Sequence, residues 1–123
     1  MNAAASNSPV KAFDRNLAAS LVDASDANML DLFEKASEYF ALLSEPSRLR
    51  ILQVICNTEC SVQQVVEQTG LPQPNVSRHL SLLHRSGVLG RRRAGTSVFY
   101  RVTDDLLTEL CRVVCVRLAS EKI

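Results

Sequence analysis

Four cysteines, two histidines and a run of three arginines are the side chains of this sequence that could do chemistry. Cys111 and Cys115 are four residues apart, a spacing that puts both thiols on one face of a helix. Cys56 closes an apolar segment that ends at Asn57-Thr58, and Cys60 lies just beyond it. Thiolates suit soft ions such as arsenite, antimonite, cadmium, lead or copper(I). Two thiols within reach of one another also suit disulfide or polysulfide bridging. The competing reading is that cysteine simply fills apolar space. No Cys-x-x-Cys and no ligating histidine accompany these residues, which argues against a structural zinc ribbon. A small redox enzyme built on Cys111 and Cys115 would need an activating histidine that the sequence does not offer. His79 and His84 stand five apart, about 140° around a helix, so they share no face. There is no phosphate loop, no pair of carboxylates in an apolar setting and no nucleophile–base constellation, so no enzyme is expected.

A second set of residues suits recognition rather than reaction. Gln73, Asn75, Ser77, Arg78 and His79 crowd the start of one apolar-periodic segment. Gln and Asn can pair bidentately with adenine, and Arg with guanine, in a major groove. Arg91, Arg92 and Arg93 follow, able to reach phosphates or an adjacent minor groove. Net charge is only +1, but its distribution is uneven. Residues 48–103 hold eight arginines against Glu59 and Glu67, a net +6, while residues 1–47 carry −4 and residues 104–123 carry −1. A basic centre between acidic ends is the footprint of a protein that meets an anionic polymer.

The elements that must position these residues follow from the apolar spacing. Residues 1–9 read as disordered. Val10, Phe13, Leu17 and Leu21 recur as on a helix, and Met29, Leu32, Phe33, Ala36, Phe40 and Leu43 form a second stripe with Asp26 as its N-cap. A short helix opens at Pro46 and buries Leu49, Leu52, Ile55 and Cys56. Ser61 and Gln64 form a capping box for a helix that buries Val62, Val65 and Val66 and stops at Gly70. After the turn Leu71–Pro74, a helix over 73–86 buries Val76, Leu80 and Leu83. Two short helices joined by such a turn are a helix-turn-helix unit, with the second helix in the groove. Beyond Gly87, VLGRRR and SVFYRV flank Ala94-Gly95-Thr96 as a β-hairpin with a basic tip. A last helix from about Thr103 carries Leu106, Leu107, Leu110, Val113, Val114 and Leu118, more apolar surface than one core needs, and predicts a dimer interface.

Taken in order, LSEPSRLRILQVI, GLPQPNVSRHLSLLHRSGVL and RRRAGTSVFYRV resemble the arsenic-repressor/metallothionein-repressor (ArsR/SmtB) regulators over about residues 30–118. The resemblance implies a mainly α fold with a small β-hairpin wing. It implies a winged helix-turn-helix homodimer, with a C-terminal interface helix, on a double-stranded DNA operator. It also implies a repressor that an inducer releases. By position it assigns base reading to Gln73, Asn75, Ser77, Arg78 and His79, and backbone contact to Arg91, Arg92 and Arg93. Four departures stand out. The family's Cys-x-Cys metal positions are Ser61 and Gln63 here. Its zinc positions on the last helix are Asp104, Leu106 and Arg117, two of which cannot ligate. Pro72 replaces the Ser or Thr that often caps the reading helix. A reactive-sulfur pair known in some members falls on Gln53 and Ala119. In antiparallel helices contacting positions have a constant sum, and Cys56–Cys115 and Cys60–Cys111 share one, so both pairs are expected within reach as sensor thiols for reactive sulfur or a soft metal(loid) ion. No resident cofactor is required.

Composition fits that frame. The 123 residues are 46% hydrophobic and 22% charged, which reads as one soluble domain over 10–123. No apolar run nears the ~20 residues of a membrane span, and MNAAASNSPVKAF lacks the pattern of a secretory signal. A cytoplasmic protein with reduced thiols is the resulting expectation. The alternative from another class is a winged protein-interaction module whose cysteines only pack. Such a module has no need of Arg91–Arg93 beside Gln73–His79.

Overall fold

The computed structural model describes residues 26–121. The helix expected over 10–21 and the disorder expected for 1–9 lie outside that range. Five helices are described: α1 (Asp26–Ala41), α2 (Pro46–Ile55), α3 (Val62–Thr69), α4 (Gln73–Arg85) and α5 (Asp105–Glu121). Three strands accompany them: β1 (Cys60–Ser61), β2 (Leu89–Ala94) and β3 (Ser97–Val102). The chain divides into two compact units between Tyr39 and Phe40.

Local chemistry sets each boundary. Glu45 caps α2, its carboxylate accepting the Ser47 N–H at 2.8 Å, and Pro46 takes the first helical position. Ser61 Oγ accepts the Gln64 N–H at 3.1 Å while Gln64 Oε1 accepts the Ser61 N–H at 2.8 Å, the reciprocal box expected from the sequence. Gly70 ends α3 at φ +74°, a left-handed conformation that glycine adopts without strain. The turn into α4 is tied from inside: Thr69 Oγ1 donates to the Val65 carbonyl and accepts the Leu71 N–H. Arg50 donates to the Thr69 carbonyl from α2. Pro72 stands at the N-cap of α4 with no side-chain cap, so the first turn closes on the Pro72 carbonyl alone, with Asn75 and Val76 N–H at 3.0 and 3.1 Å. Asp104, which the family resemblance aligns with a zinc position, caps α5 by accepting the Leu106 N–H at 3.1 Å.

The sheet has the order β1-β3-β2, antiparallel throughout. β1 was not legible in the sequence, because two residues carry no period. It pairs Cys60 with Tyr100 and Ser61 with Phe99. The core of this unit gathers Ile51, Leu52 and Ile55 from α2, Val65 from α3, and Val76, Leu80 and Leu83 from α4, with Leu107 of α5. These side chains are 0–1% exposed.

The fold corrects the expectation for one residue. His79 is grouped by position with the base-reading residues, yet it is only 5% exposed. On α4 it sits one residue before Leu80 and three after Val76, within the face that the core covers. Its Nδ1 lies 3.5 Å from Arg48 Nη1, and its Nε2 lies 3.8 Å from Glu45 Oε1. A guanidinium only donates, so Nδ1 is the acceptor and the ring proton is on Nε2. Arg48 also donates to the carbonyls of Leu42 and Ala41, each at 2.9 Å. His79 thus anchors α4 to the start of α2 rather than reaching outward.

Burial first, then the Arg48 charge, holds the His79 ring below the ordinary imidazole range, with Arg78 adding a smaller push and Glu45 opposing it. The folded protein therefore binds fewer protons there than the unfolded chain does. Stability is complete above the ordinary imidazole pKa and falls as pH drops below it. Between about pH 7.5 and about pH 5, urea midpoints should fall more steeply for the parent than for His79→Gln, which starts lower and changes less. Equal pH dependence in the two proteins would show that the ring carries no such linkage.

Candidate nucleic-acid interface and thiol groove

With Val76, His79, Leu80 and Leu83 turned to the core, α4 offers its opposite side to solvent. Gln73, Pro74 and Arg78 are exposed there, and Asn75 and Ser77 are half-buried. Arg78 Nη1 approaches Asn75 Oδ1 at 3.5 Å, so the two polar heads lie side by side over the first turns. Four of the five residues expected to read bases therefore stand at one end of one helix with polar atoms accessible. These groups match purine edges in donor and acceptor type.

The hairpin supplies the basic partner surface. Arg91 pairs with Tyr100, Arg92 with Phe99 and Arg93 with Val98, so alternation puts Arg91 and Arg93 on one face and Arg92 on the other. All three are exposed, and their side chains border a hollow of about 360 Å³ with Val98 and Tyr100. Among the described residues, neither Arg91 nor Arg93 has an ion-pair partner. Arg92 differs. Its Nε and Nη2 donate to the two oxygens of Glu59 at 2.8 and 2.7 Å, and its guanidinium lies 5.0 Å from the centroid of Phe99. The hydrogen bonds to Arg92 hold the Glu59 carboxyl below the usual carboxylate range, with Arg101 assisting. Of the three arginines expected at the DNA backbone, two have no ion pair among the described residues and one is engaged by Glu59.

The thiols are also sorted by the fold. Cys56 at the end of α2, with Cys111 and Cys115 on α5, lines a groove of about 590 Å³ whose walls include Leu49, Leu52 and Val116. Cys111 and Cys115 Sγ lie 3.9 Å apart. Cys111 is pushed up to about 11 by burial, by its contact with Cys115 and by the nearby Cys115 and Cys56 thiols, so at neutral pH it keeps its proton. Cys60 is not in this groove. It is 1% exposed on β1, its Sγ 3.6 Å from the Thr58 carbonyl, and burial raises its pKa. Cys60 does not join Cys111 in this groove, because α2 ends at Ile55. The antiparallel register that carries Cys56 toward Cys115 does not extend across the turn at 57–59. Among the described residues no group of three or more His, Cys, Asp or Glu is placed to hold a metal ion. The groove presents a pair of close sulfurs, with Cys56 in the same lining.

Three residues that matter were missed from sequence. Arg48 and Glu45 hold His79, and Glu59 holds Arg92. Glu59 had a signal: it is one of two acids in the basic centre, and the other, Glu67, faces Gln63 on its own helix at 3.4 Å.

Comparison with known proteins agrees with this geometry. A family profile described as "Bacterial regulatory protein, arsR family" matches residues 45–89, from the cap of α2 through the start of β2. The chain is similar to an uncharacterized HTH-type transcriptional regulator of Methanocaldococcus jannaschii, 34% identical over 86 residues, covering 69% of this chain and 97% of that one. It is similar to a probable mercury resistance operon repressor of Streptomyces lividans, 36% identical over 77 residues, covering 63% and 62%. Among solved structures it resembles the homodimeric winged helix-turn-helix DNA-binding domain of a possible ArsR-family regulator from Mycobacterium bovis. That likeness has a TM-score of 0.68 at 26% identity, over 80% of this chain and 90% of the other. No helix among the described residues is long and apolar enough to cross a membrane. By fold, by the matched segment and by its relatives, the chain belongs to the arsR family of bacterial regulatory proteins, winged-helix DNA-binding transcription regulators rather than enzymes.

Proposed function

We propose that this regulator is a homodimeric repressor that reads its operator with α4 and releases it when an inducer reacts with the thiols of the α2–α5 groove. The observation that carries the DNA side is the division of α4. One face is sealed into the core through Val76, His79, Leu80 and Leu83, and the other presents Gln73, Asn75, Ser77 and Arg78. Arg91 and Arg93 on the wing contact phosphates and fix the register of the helix in the groove. Several such contacts per protomer, doubled by a second copy, give a log–log salt slope of magnitude above roughly 5.

The second copy is argued from apolar surface. Leu106, Val113, Val114, Val116 and Leu118 of α5 are 50–58% exposed, and on α1 Leu30 and Phe33 are 67% and 51% exposed. Exposed apolar residues at this density mark interaction surfaces. The Mycobacterium bovis relative is described as homodimeric. A dimer places two reading helices on successive major grooves, about 34–36 Å apart.

The inducer side rests on Cys56, Cys111 and Cys115. In bridge formation two thiols give up two electrons and two protons; one sulfane sulfur takes them and leaves as hydrogen sulfide. A bridge between Cys56 and an α5 thiol would tie the reading unit to the proposed dimer face. A few kcal/mol in favour of the released spacing is enough to empty the operator. A soft ion held between two thiolates is the second reading, favoured by the name of the Streptomyces lividans relative.

Three measurements test this reading. In mobility shifts on the DNA upstream of its own gene, Asn75→Ala and Arg78→Ala should each cost about 1–3 kcal/mol and relax base preference at one position. A salt slope near zero in the parent would remove the phosphate contacts altogether. In sedimentation the intact protein should run as a dimer, and Val114→Glu with Leu118→Glu should run as a monomer; a parent monomer contradicts the interface. For the switch, polysulfide, arsenite, cadmium and mercury should each be titrated into operator complexes of Cys56→Ser, Cys111→Ser and Cys115→Ser. Loss of release in these variants, with Cys60→Ser behaving as the parent, is the expected pattern. Unchanged release in all of them means that the thiols only pack.

A further inference from the structure

Arg92 carries the same charge as its neighbours, on the same strand, yet the fold treats it differently. Its Nε and Nη2 both donate to Glu59, at 2.8 and 2.7 Å, and its guanidinium carbon lies over the Phe99 ring. Two parallel hydrogen bonds between a guanidinium and a carboxylate fix orientation as well as distance. The Glu59 side chain is 27% exposed and that of Arg92 51%, so the contact is partly shielded from water on the carboxylate side.

Its position in the sheet gives the contact a mechanical meaning. Glu59 immediately precedes β1, Phe99 lies on β3 and Arg92 on β2. The interaction therefore crosses all three strands, from the connection that leaves α2 to the outer arm of the hairpin. β1 joins β3 through only two residue pairs, Cys60 with Tyr100 and Ser61 with Phe99. Strands that short hold a hairpin weakly by backbone bonds alone. A side-chain brace across the same sheet supplies what the short strand lacks.

We infer that Glu59 and Arg92 form a clamp that sets the angle of the wing, and that Arg92 is a positioning residue while Arg91 and Arg93 make the phosphate contacts. The wing thus binds through two arginines and is aimed by a third. The opposite arrangement has a definite form too: Arg92 borders the same hollow as Arg91 and Arg93, and a phosphate there could draw it away from Glu59. In that case Glu59 would be a competitor of DNA and not a support for binding. The two arrangements predict opposite signs for Glu59→Gln.

The inference rests on the wing contacting DNA, and the experiment separates the two. Salt titrations on the DNA upstream of its own gene compare Arg91→Ala, Arg92→Ala, Arg93→Ala, Glu59→Gln and the exchanged pair Glu59→Arg with Arg92→Glu. Removing one arginine–phosphate pair from each of the two protomers lowers the slope by about 1.8. Arg91→Ala and Arg93→Ala should show that drop. Arg92→Ala and Glu59→Gln should keep the parent slope and weaken binding by a common factor of roughly 2–5. Their combination should be no weaker than either alone, and the exchanged pair should recover most of the affinity. The clamp is overturned if Arg92→Ala lowers the slope as its neighbours do, if Glu59→Gln tightens binding, or if the exchanged pair binds no better than the single variants. A readout without DNA keeps the clamp testable should the wing make no contact at all. Amide hydrogen exchange at Arg91–Ala94 in the free protein should speed up in Glu59→Gln; unchanged exchange overturns the clamp on its own.

Discussion

The orientation of α4, on which the proposed reading of DNA rests, depends on the sealing of one of its faces. Val76, Leu80 and Leu83 are 0% exposed, packed with Ile51 of α2 and Val65 of α3 in one apolar core. Each fully buried aliphatic side chain is worth about 1.5–3 kcal/mol relative to exposure. A 13-residue helix with a proline at its N-cap and no side-chain cap would be marginal by itself. Tertiary burial holds it instead, and because the buried stripe is fixed in rotation, the exposed one is too. The identity of the polar residues at Gln73, Asn75 and Arg78 is then free to follow an operator without disturbing the fold.

The anchoring is stiffened by polar contacts that the apolar pattern does not reveal. Arg48 joins the carbonyls of Ala41 and Leu42 to the ring of His79, and Glu45 faces the other nitrogen of that ring while capping α2. A neutral imidazole between a cation and an anion suits both neighbours without adding a buried charge. Asn75, Ser77 and Arg78 lie within four residues of His79, so small rotations at the anchor are felt on the exposed face proposed to read bases. Core and reading face are coupled over a single helical turn.

Much of this was legible in the sequence, and the reasons differ by element. The helices around residues 46–55 and 62–69 announce themselves through caps and apolar spacing, and the one around 73–85 through spacing after a proline turn, signals that act within four residues along the chain. The hairpin is legible because Ala94-Gly95-Thr96 interrupts an alternating pattern. What stayed hidden depends on contacts far apart in sequence. Arg48 and His79 are 31 residues apart, and Glu59 and Arg92 are 33 apart. β1 is too short to carry a period. The register rule carried Cys56 to the right groove and misplaced Cys60, because that rule presumes a continuous helix and α2 stops at Ile55.

His79 and Arg92 share one feature, and it extends beyond this chain. Each stands among residues that suit DNA, so composition alone groups it with them. Yet a polar side chain on a reading element has two classes of partner available, the nucleic acid and the protein's own framework. Burial decides for His79, which at 5% exposure has no path to a base edge. Strand alternation puts Arg92 on the other face from Arg91 and Arg93, where its Nε and Nη2 meet the carboxylate that precedes β1. In a basic segment with just two carboxylates, an acid that is kept is itself a signal that one of the arginines has internal work. Under the proposed Glu59–Arg92 clamp, counting arginines overstates the phosphate contacts of such a wing, and subtracting those with an internal carboxylate partner gives the number that the salt dependence should report.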